Sequence, residues 1–304
     1  VIVVGPSNVM YSETSIIYAK QLSLRGFVTL CFDPTFFGKS SGLPRDLEDP
    51  ETRVEDIKCA VDYLLTLPFV DEEKISLLGI CTGGGYAVKA ATTDYRISAL
   101  ATIVGSNIGS FYREILGRTA LRHILKDVSF QRTVEVKGGE KKYSGSMGSE
   151  QTIRTILRSQ NDENGKGNQH YVLKDYLYIS LSHILAFDSF HMISDLLFQP
   201  LQVIVGENEG VRGSYQHGMK LFYMAGAENK DFYVVEGARH NQMCFEKGFI
   251  ENAAWFRFNN PTSKKVKITY AAIKTSSKEV MSEKINQNLI LQPFTKNNYI
   301  AIKT

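Results

Sequence analysis

Cysteine is scarce in this sequence, with Cys31, Cys59, Cys81 and Cys244 alone among 304 residues. Four are too few for a disulfide scaffold, and none stands in the close pairing of a zinc site. A reduced, cytoplasmic setting without metal or cofactor is the expectation. Long apolar runs are also lacking. No stretch approaches the roughly 18–20 unbroken apolar residues that span a bilayer, so no membrane is expected as a partner. Hydrophobic residues nonetheless make up 43% of the chain and charged residues 22%. That balance excludes a disordered, collagenous or coiled-coil chain and leaves a globular one.

Net charge is small, +3, and unevenly placed. From Pro261 to Thr304 eight lysines face two glutamates, a local +6 that leaves the preceding residues at −3. The lysines of this tail alternate with β-type residues and form no dense patch, which argues against a nucleic-acid groove. The chain begins at Val1 rather than Met, in residues that are already strand-like. A truncated N-terminal edge is therefore expected, and any targeting segment would lie upstream.

The first hundred residues alternate apolar runs with helix-patterned segments. Val1–Val4, Phe27–Phe32, Ile75–Leu78 and Ile97–Val104 read as buried strands. Between them, Glu13–Arg25, Thr52–Leu67 and Gly83–Thr92 carry helical periodicity, the first closed by Gly26. Continuous apolar strands in a βαβα rhythm predict an α/β fold, a mostly parallel sheet flanked by helices. The rhythm breaks near Ser106 and resumes at Leu201–Val205 and Phe232–Val235. Phe111–Lys126 and Leu173–Leu197 look helical within that gap, which reads as a helical cap. The division expected is core over 1–109, cap or lid over 110–199, core again over 200–252, and an atypical segment over 253–304. No internal repeat is found.

One turn carries the strongest chemical signal. Ile75-Ser76-Leu77-Leu78-Gly79-Ile80-Cys81-Thr82-Gly83 runs from a strand through Gly-x-Cys-x-Gly directly into a helix. This is a nucleophile-elbow pattern with cysteine where serine is commoner. A tight turn of this kind requires the positions two before and two after the nucleophile to lack side chains, a demand met by Gly79 and Gly83. It also sets Cys81 at a helix N-terminus, where the dipole and open N–H groups favour thiolate and can hold an oxyanion, Thr82 N–H in particular. A plain packing turn or a phosphate loop is the competing reading. The glycine spacing fits neither Gly-x-Gly-x-x-Gly nor a Walker loop.

Six histidines are available: His123, His170, His183, His191, His217 and His240. Five fall in the insertion or in helix-patterned stretches and read as surface or packing residues. His240 follows a strand and the small-residue turn Glu236-Gly237-Ala238-Arg239, where an imidazole can take and return the nucleophile's proton. An acid after the preceding strand would fix its tautomer. Glu209, three past Gly206, has the usual offset, and Glu207 is the alternative. Backbone N–H groups of Ser7 or Asn8, after the first strand, are candidates for a second oxyanion donor.

The chain resembles the α/β-hydrolase superfamily and, within it, the dienelactone-hydrolase-like and polyketide-transferase-like group. The matching stretches include Gly26–Asp33, Leu47–Pro50 with Arg53–Ile57, Ala60–Leu64, the elbow Gly79–Tyr86 and Asn107-Ile108-Gly109. They continue through Leu185–His191, Gln199-Pro200-Leu201 and Val234–Ala238 before His240. The order Cys81, Glu209, His240 is the superfamily's order of nucleophile, acid and histidine. The resemblance implies a cysteine nucleophile at Cys81, a histidine at His240, and ester or thioester chemistry without a cofactor. It also implies N-terminal strands missing here and a closing helix, for which Val280–Leu289 is the candidate. In two places the chain departs from the group's pattern. Its first loop has less glycine at Ser7-Asn8-Val9, and Asn241-Gln242-Met243-Cys244-Phe245 stands where an acidic, aromatic run is usual.

The reading is thus an N-terminally truncated α/β-hydrolase fold with a helical cap insertion. The expected enzyme cleaves ester, lactone or thioester bonds through an acyl-enzyme on a Cys-His-acid triad. An acyltransferase using the same triad is one alternative, and a non-catalytic binding protein of the same fold is another. The partner expected is a small-molecule acyl substrate, not nucleic acid, and a homodimer stays open.

Overall fold

The computed structural model describes residues 1–7, 14–144, 175–208, 214–245, 290–292 and 299–303. Eight strands build one sheet: β1 (Ile2–Val4), β2 (Thr29–Asp33), β3 (Ser76–Ile80), β4 (Ala99–Ile103), β5 (Leu201–Asn208), β6 (Lys230–Arg239), β7 (Ile290–Gln292) and β8 (Tyr299–Lys303). Their spatial order is β6-β5-β4-β3-β1-β2-β8-β7. Every pairing is parallel except β7 with β8. Parallel strands need covered faces, and the apolar runs supply both. Ile2, Leu30, Leu77, Leu100 and Val203 enter one core, while their neighbours Val3, Cys31, Leu78, Ala101 and Ile204 enter the other. The mostly parallel sheet flanked by helices is what the rhythm of the sequence predicts.

The helices are α1 (Thr14–Ser23), α2 (Pro50–Leu65), α3 (Thr82–Thr93), α4 (Ile108–Val136), α5 (Ser180–Ala186), α6 (Ile193–Leu196), α7 (Ser214–Met224) and α8 (His240–Phe245). Tyr18, Ala19 and Leu22 of α1 share a core with Met243 and Cys244 of α8. The helices α2 to α7 contribute to the other core. Local chemistry sets several ends. Asp49 accepts the Glu51 N–H and Pro50 opens α2, the arrangement a helix start favours. Asn107 caps α4 through the Ser110 N–H, and Gly117 interrupts that helix at φ 68°, ψ 163°. None of the described helices is long and apolar enough to cross a membrane.

Two expectations change. The helix foreseen over Leu173–Leu197 is, in its described part, two short helices with extended backbone before them, where Leu177 bridges Tyr143. The Asp188 carboxylate causes the second break, because it accepts from Phe190 N–H at 3.0 Å and from Asn107 Nδ2 at 2.6 Å. A side chain that captures local backbone in this way competes with helix. At the other end of the chain, β7 and β8 are strands in a segment whose pattern supports no assignment, β8 extending the sheet beyond β2. Val280–Leu289 lies outside the described residues.

Candidate active site

At the end of β3 the chain turns into α3 within a single residue. Cys81 is that residue, with φ 55° and ψ −124°, a backbone state costly for any side chain. Such strain costs on the order of 1–3 kcal/mol and persists where the surroundings over-determine it. Here they do. The Cys81 N–H donates to Ile103 O at 3.0 Å, and its carbonyl accepts from Gly84 and Ser106 N–H at 2.9 Å each. Neighbouring β4 and the loop after it therefore hold the turn from the side.

The flanking glycines are needed for close approach. A Cβ at Gly79 would sit 2.5 Å from Gly84 Cα and 2.6 Å from Gly83 O, and one at Gly83 would collide with the carbonyls of Val4 and Gly5. As the spacing predicts, the helix start lies directly on the ends of β3 and β1.

His240 begins α8, immediately after β6. Its Nε2 lies 3.2 Å from Cys81 Sγ, across 159 residues of sequence. Both side chains are about 5% exposed, so the pair is shielded from bulk water. On the far side of the ring, Nδ1 is buried and has no hydrogen-bond partner among the described residues. Glu207 does not fill that place. Its carboxylate is exposed and accepts the Gly237 N–H at 2.8 Å. Glu209 lies outside the described residues, just beyond Asn208, which pairs in register with Arg239 next to the histidine.

The candidate oxyanion donors differ in their situations. Thr82 N–H is in the first turn of α3, where backbone donors have no intrahelical acceptor. Ser7 N–H is not presented as an open donor. It donates to Thr82 Oγ1 at 2.5 Å, and the Thr82 hydroxyl in turn reaches Ser7 Oγ at 3.1 Å. Ser7 N–H would reach a substrate only once this contact with the Thr82 hydroxyl opens. Asn8 lies outside the described residues.

Among the other histidines, His217 packs at 3% exposure with Nδ1 accepting from Asn107 N–H at 3.1 Å. His183 lies 3.5 Å from Asp49, and His170 is outside the described residues. The reading of the insertion and helix histidines as packing or surface groups fits His217 and His183. Asn107 also joins two separated stretches of the sequence pattern, since its side chain holds Asp188 and the Ser189 N–H.

Cysteine spacing in the sequence points to no metal ligands, yet the fold assembles a group. Cys81, His240 and Cys244 each offer a ligand atom within 4.8 Å of the others, all buried. The one signal for Cys244 was its position four residues after His240, one helical turn on. The remaining thiols lie elsewhere: burial pushes Cys31 up to about 12 and also raises Cys59 on α2.

Comparison with known proteins bears on the family and the fold. Residues 53–165 match the family model described as "BAAT / Acyl-CoA thioester hydrolase C terminal". The uncharacterized protein YcjY of Escherichia coli is 32% identical over 257 residues, covering 82% of this chain and 83% of that one. The chain belongs to the α/β-hydrolase superfamily. Within it lies the polyketide-transferase-like group, to which this hydrolase-fold chain is similar in sequence and structure. Thiohydrolase aneE of Aspergillus aculeatus is 35% identical over 98 residues, 32% of this chain and 31% of its own. The crystal structure of the α/β hydrolase GrgF from Penicillium superposes with a TM-score of 0.66 at 19% identity, covering 84% of this chain and 90% of that one.

Proposed function

We propose that this α/β-hydrolase cleaves ester or thioester bonds through an acyl-enzyme on Cys81. The observation that carries the reading is the 3.2 Å contact between Cys81 Sγ and His240 Nε2 at a strained strand-to-helix turn. In the first half-reaction His240 Nε2 takes the Cys81 proton and the thiolate attacks the acyl carbon. The tetrahedral oxyanion is held by Thr82 N–H and, once Thr82 Oγ1 releases it, by Ser7 N–H. Collapse breaks the bond to the leaving group, which receives the proton from His240. Water, deprotonated by His240, then attacks the thioester and expels the Cys81 thiolate. Glu209 at Nδ1 fixes the tautomer in this reading, supported by its place one residue past the Asn208–Arg239 pairing.

A thioester intermediate sets the substrate range. Activated esters, lactones and thioesters acylate a thiolate more readily than amides do, because their leaving groups depart more easily. Relatives named thiohydrolase and polyketide transferase support this choice of bond. An alcohol or thiol acceptor in place of water would make the same intermediate an acyl transfer, and the low exposure of the pair favours such capture. Residues 110–199 are proposed as the cap over the site.

The test is hydrolysis of p-nitrophenyl esters and acyl thioesters by the wild type, Cys81→Ala and Cys81→Ser, with mass spectrometry of the quenched enzyme. An acyl adduct on the peptide containing Cys81, and loss of turnover in Cys81→Ala, are expected. Equal rates in all three proteins, or a folded but inactive wild type, would leave a non-catalytic binding protein instead.

A further inference from the structure

We propose that Cys81, His240 and Cys244 form a three-ligand site for Zn2+ or a comparably thiophilic ion such as Cd2+. The site itself stands on the positions of these side chains, and only its effect on turnover rests on the function proposed above. Cys81 comes from the elbow after β3, while His240 and Cys244 come from successive turns of α8. Their ligand atoms lie within 4.8 Å of one another, with the Cys81–His240 pair at 3.2 Å. Tetrahedral zinc, with bonds of about 2.3 Å to sulfur and 2.0 Å to nitrogen, needs ligand atoms roughly 3.5–3.8 Å apart. Side-chain shifts of about an ångström or less close that difference, without moving either element.

The donor set also selects the metal. Two sulfurs and an imidazole suit zinc and other thiophilic ions, not magnesium or calcium, which take oxygen. Binding releases two thiol protons, and two thiolates with one neutral imidazole cancel the ion's charge. A neutral assembly matters here, because the three residues are 5%, 5% and 1% exposed and a net charge at such depth is costly. The fourth position is left to water or a small ligand, as in open three-ligand zinc sites. Occupancy would tie up both the nucleophile and its base, so the ion acts as an inhibitor rather than a catalyst.

The test uses the full chain, reduced with a phosphine and freed of metal by chelator and gel filtration. Cd2+ is titrated while the thiolate-to-metal charge-transfer absorption is followed, and Zn2+ competes for the same site. One equivalent per chain is expected for the wild type. Cys244→Ala should bind at least about tenfold more weakly, and Cys59→Ala as the wild type does. In the esterase assay, with each protein normalised to its own metal-free rate, Cys244→Ala should need at least about tenfold more Zn2+ than the wild type for half-inhibition. X-ray absorption on the zinc-loaded wild type should report two sulfur neighbours and at least one nitrogen, a measurement that needs no variant to fold. Failure of the wild type to take up one equivalent, unchanged affinity in folded Cys244→Ala, or a single sulfur neighbour overturns the site. A wild type that binds Cd2+ but cleaves no ester overturns the catalytic reading instead and leaves the site standing.

Discussion

His240 has two ring nitrogens in different situations, and the contrast makes the acid testable. Nε2 meets Cys81, whereas Nδ1 is buried with no described partner. A buried ring nitrogen left without a partner costs about 1–3 kcal/mol, so a carboxylate there stabilises the fold as well as the imidazolium. Glu209→Gln is expected to lower kcat at least ~10-fold, while Glu207→Gln changes it by no more than about twofold. Steady-state kinetics on one activated ester checks both, and the reverse ranking would exchange the two assignments. His240→Ala should cost about 10²–10⁴ in kcat. The meeting of Cys81 and His240 was legible because each follows a strand in a pattern with a physical demand. The Ser7–Thr82 contact was not legible, since it depends on where a hydroxyl points across 75 residues. Cys244 was hidden for the same kind of reason: nothing in local spacing says which strand end its helix faces.

At the scale of elements, the elbow is the joint on which the rest depends. Gly83→Ala forces a methyl into the backbone carbonyls of Val4 and Gly5, groups that cannot rotate away as a side chain would. The start of α3 must shift, and in the proposed mechanism a displacement near 1 Å at Cys81 costs on the order of 10²-fold in rate. Ester hydrolysis together with urea unfolding of Gly83→Ala is expected to show that loss, with about 1–3 kcal/mol of destabilisation. The far end of α3 offers a pH test. The hydrogen bonds from Arg96 to Asp94, side chain first, hold the Asp94 carboxyl below its ordinary value. A depressed native pKa contributes stability that is present above the unfolded value and lost as pH falls through the native one. Wild type should therefore exceed Asp94→Asn by about 0.5–1 kcal/mol at pH 7, the gap closing in urea titrations near pH 3. An equal gap at both pH values would refute the linkage. Elements with strong apolar periodicity were read to within a few residues, except α4, which runs on to Val136, well past the Lys126 expected as its end. The Leu173–Leu197 region misled because apolar content without a count of capping carboxylates cannot show where Asp188 ends a helix.

Across the whole molecule, a buried ion pair ties the sheet's helices to the chain between β4 and β5. Glu48, fully buried, accepts from Arg53 Nε at 3.1 Å and Nη2 at 2.6 Å, and from the Tyr86 hydroxyl at 2.7 Å. Its backbone N–H donates to Ser180 Oγ at 2.9 Å, and nearby Leu177 N–H donates to Asp46 O at 2.8 Å. Through its carboxylate and its backbone N–H, one residue thus joins the loop before α2 to α2 itself, the face of α3 and the start of α5. The sequence contained Leu47–Pro50, Arg53 and Tyr86 as parts of one family-like pattern, but their convergence needed the fold. Arg53 also lies over the Phe37 ring, its guanidinium carbon 4.8 Å from the centroid, so its removal loses packing as well as charge. Arg53→Met leaves the Glu48 carboxylate without its ion-pair partner in the core, and urea unfolding should show a loss of about 3–5 kcal/mol. The double variant Glu48→Leu with Arg53→Met removes the stranded charge, so it should be more stable than Arg53→Met alone. If instead the two losses simply add, the pair is not coupled, and Glu48 is held by Tyr86 without help from Arg53.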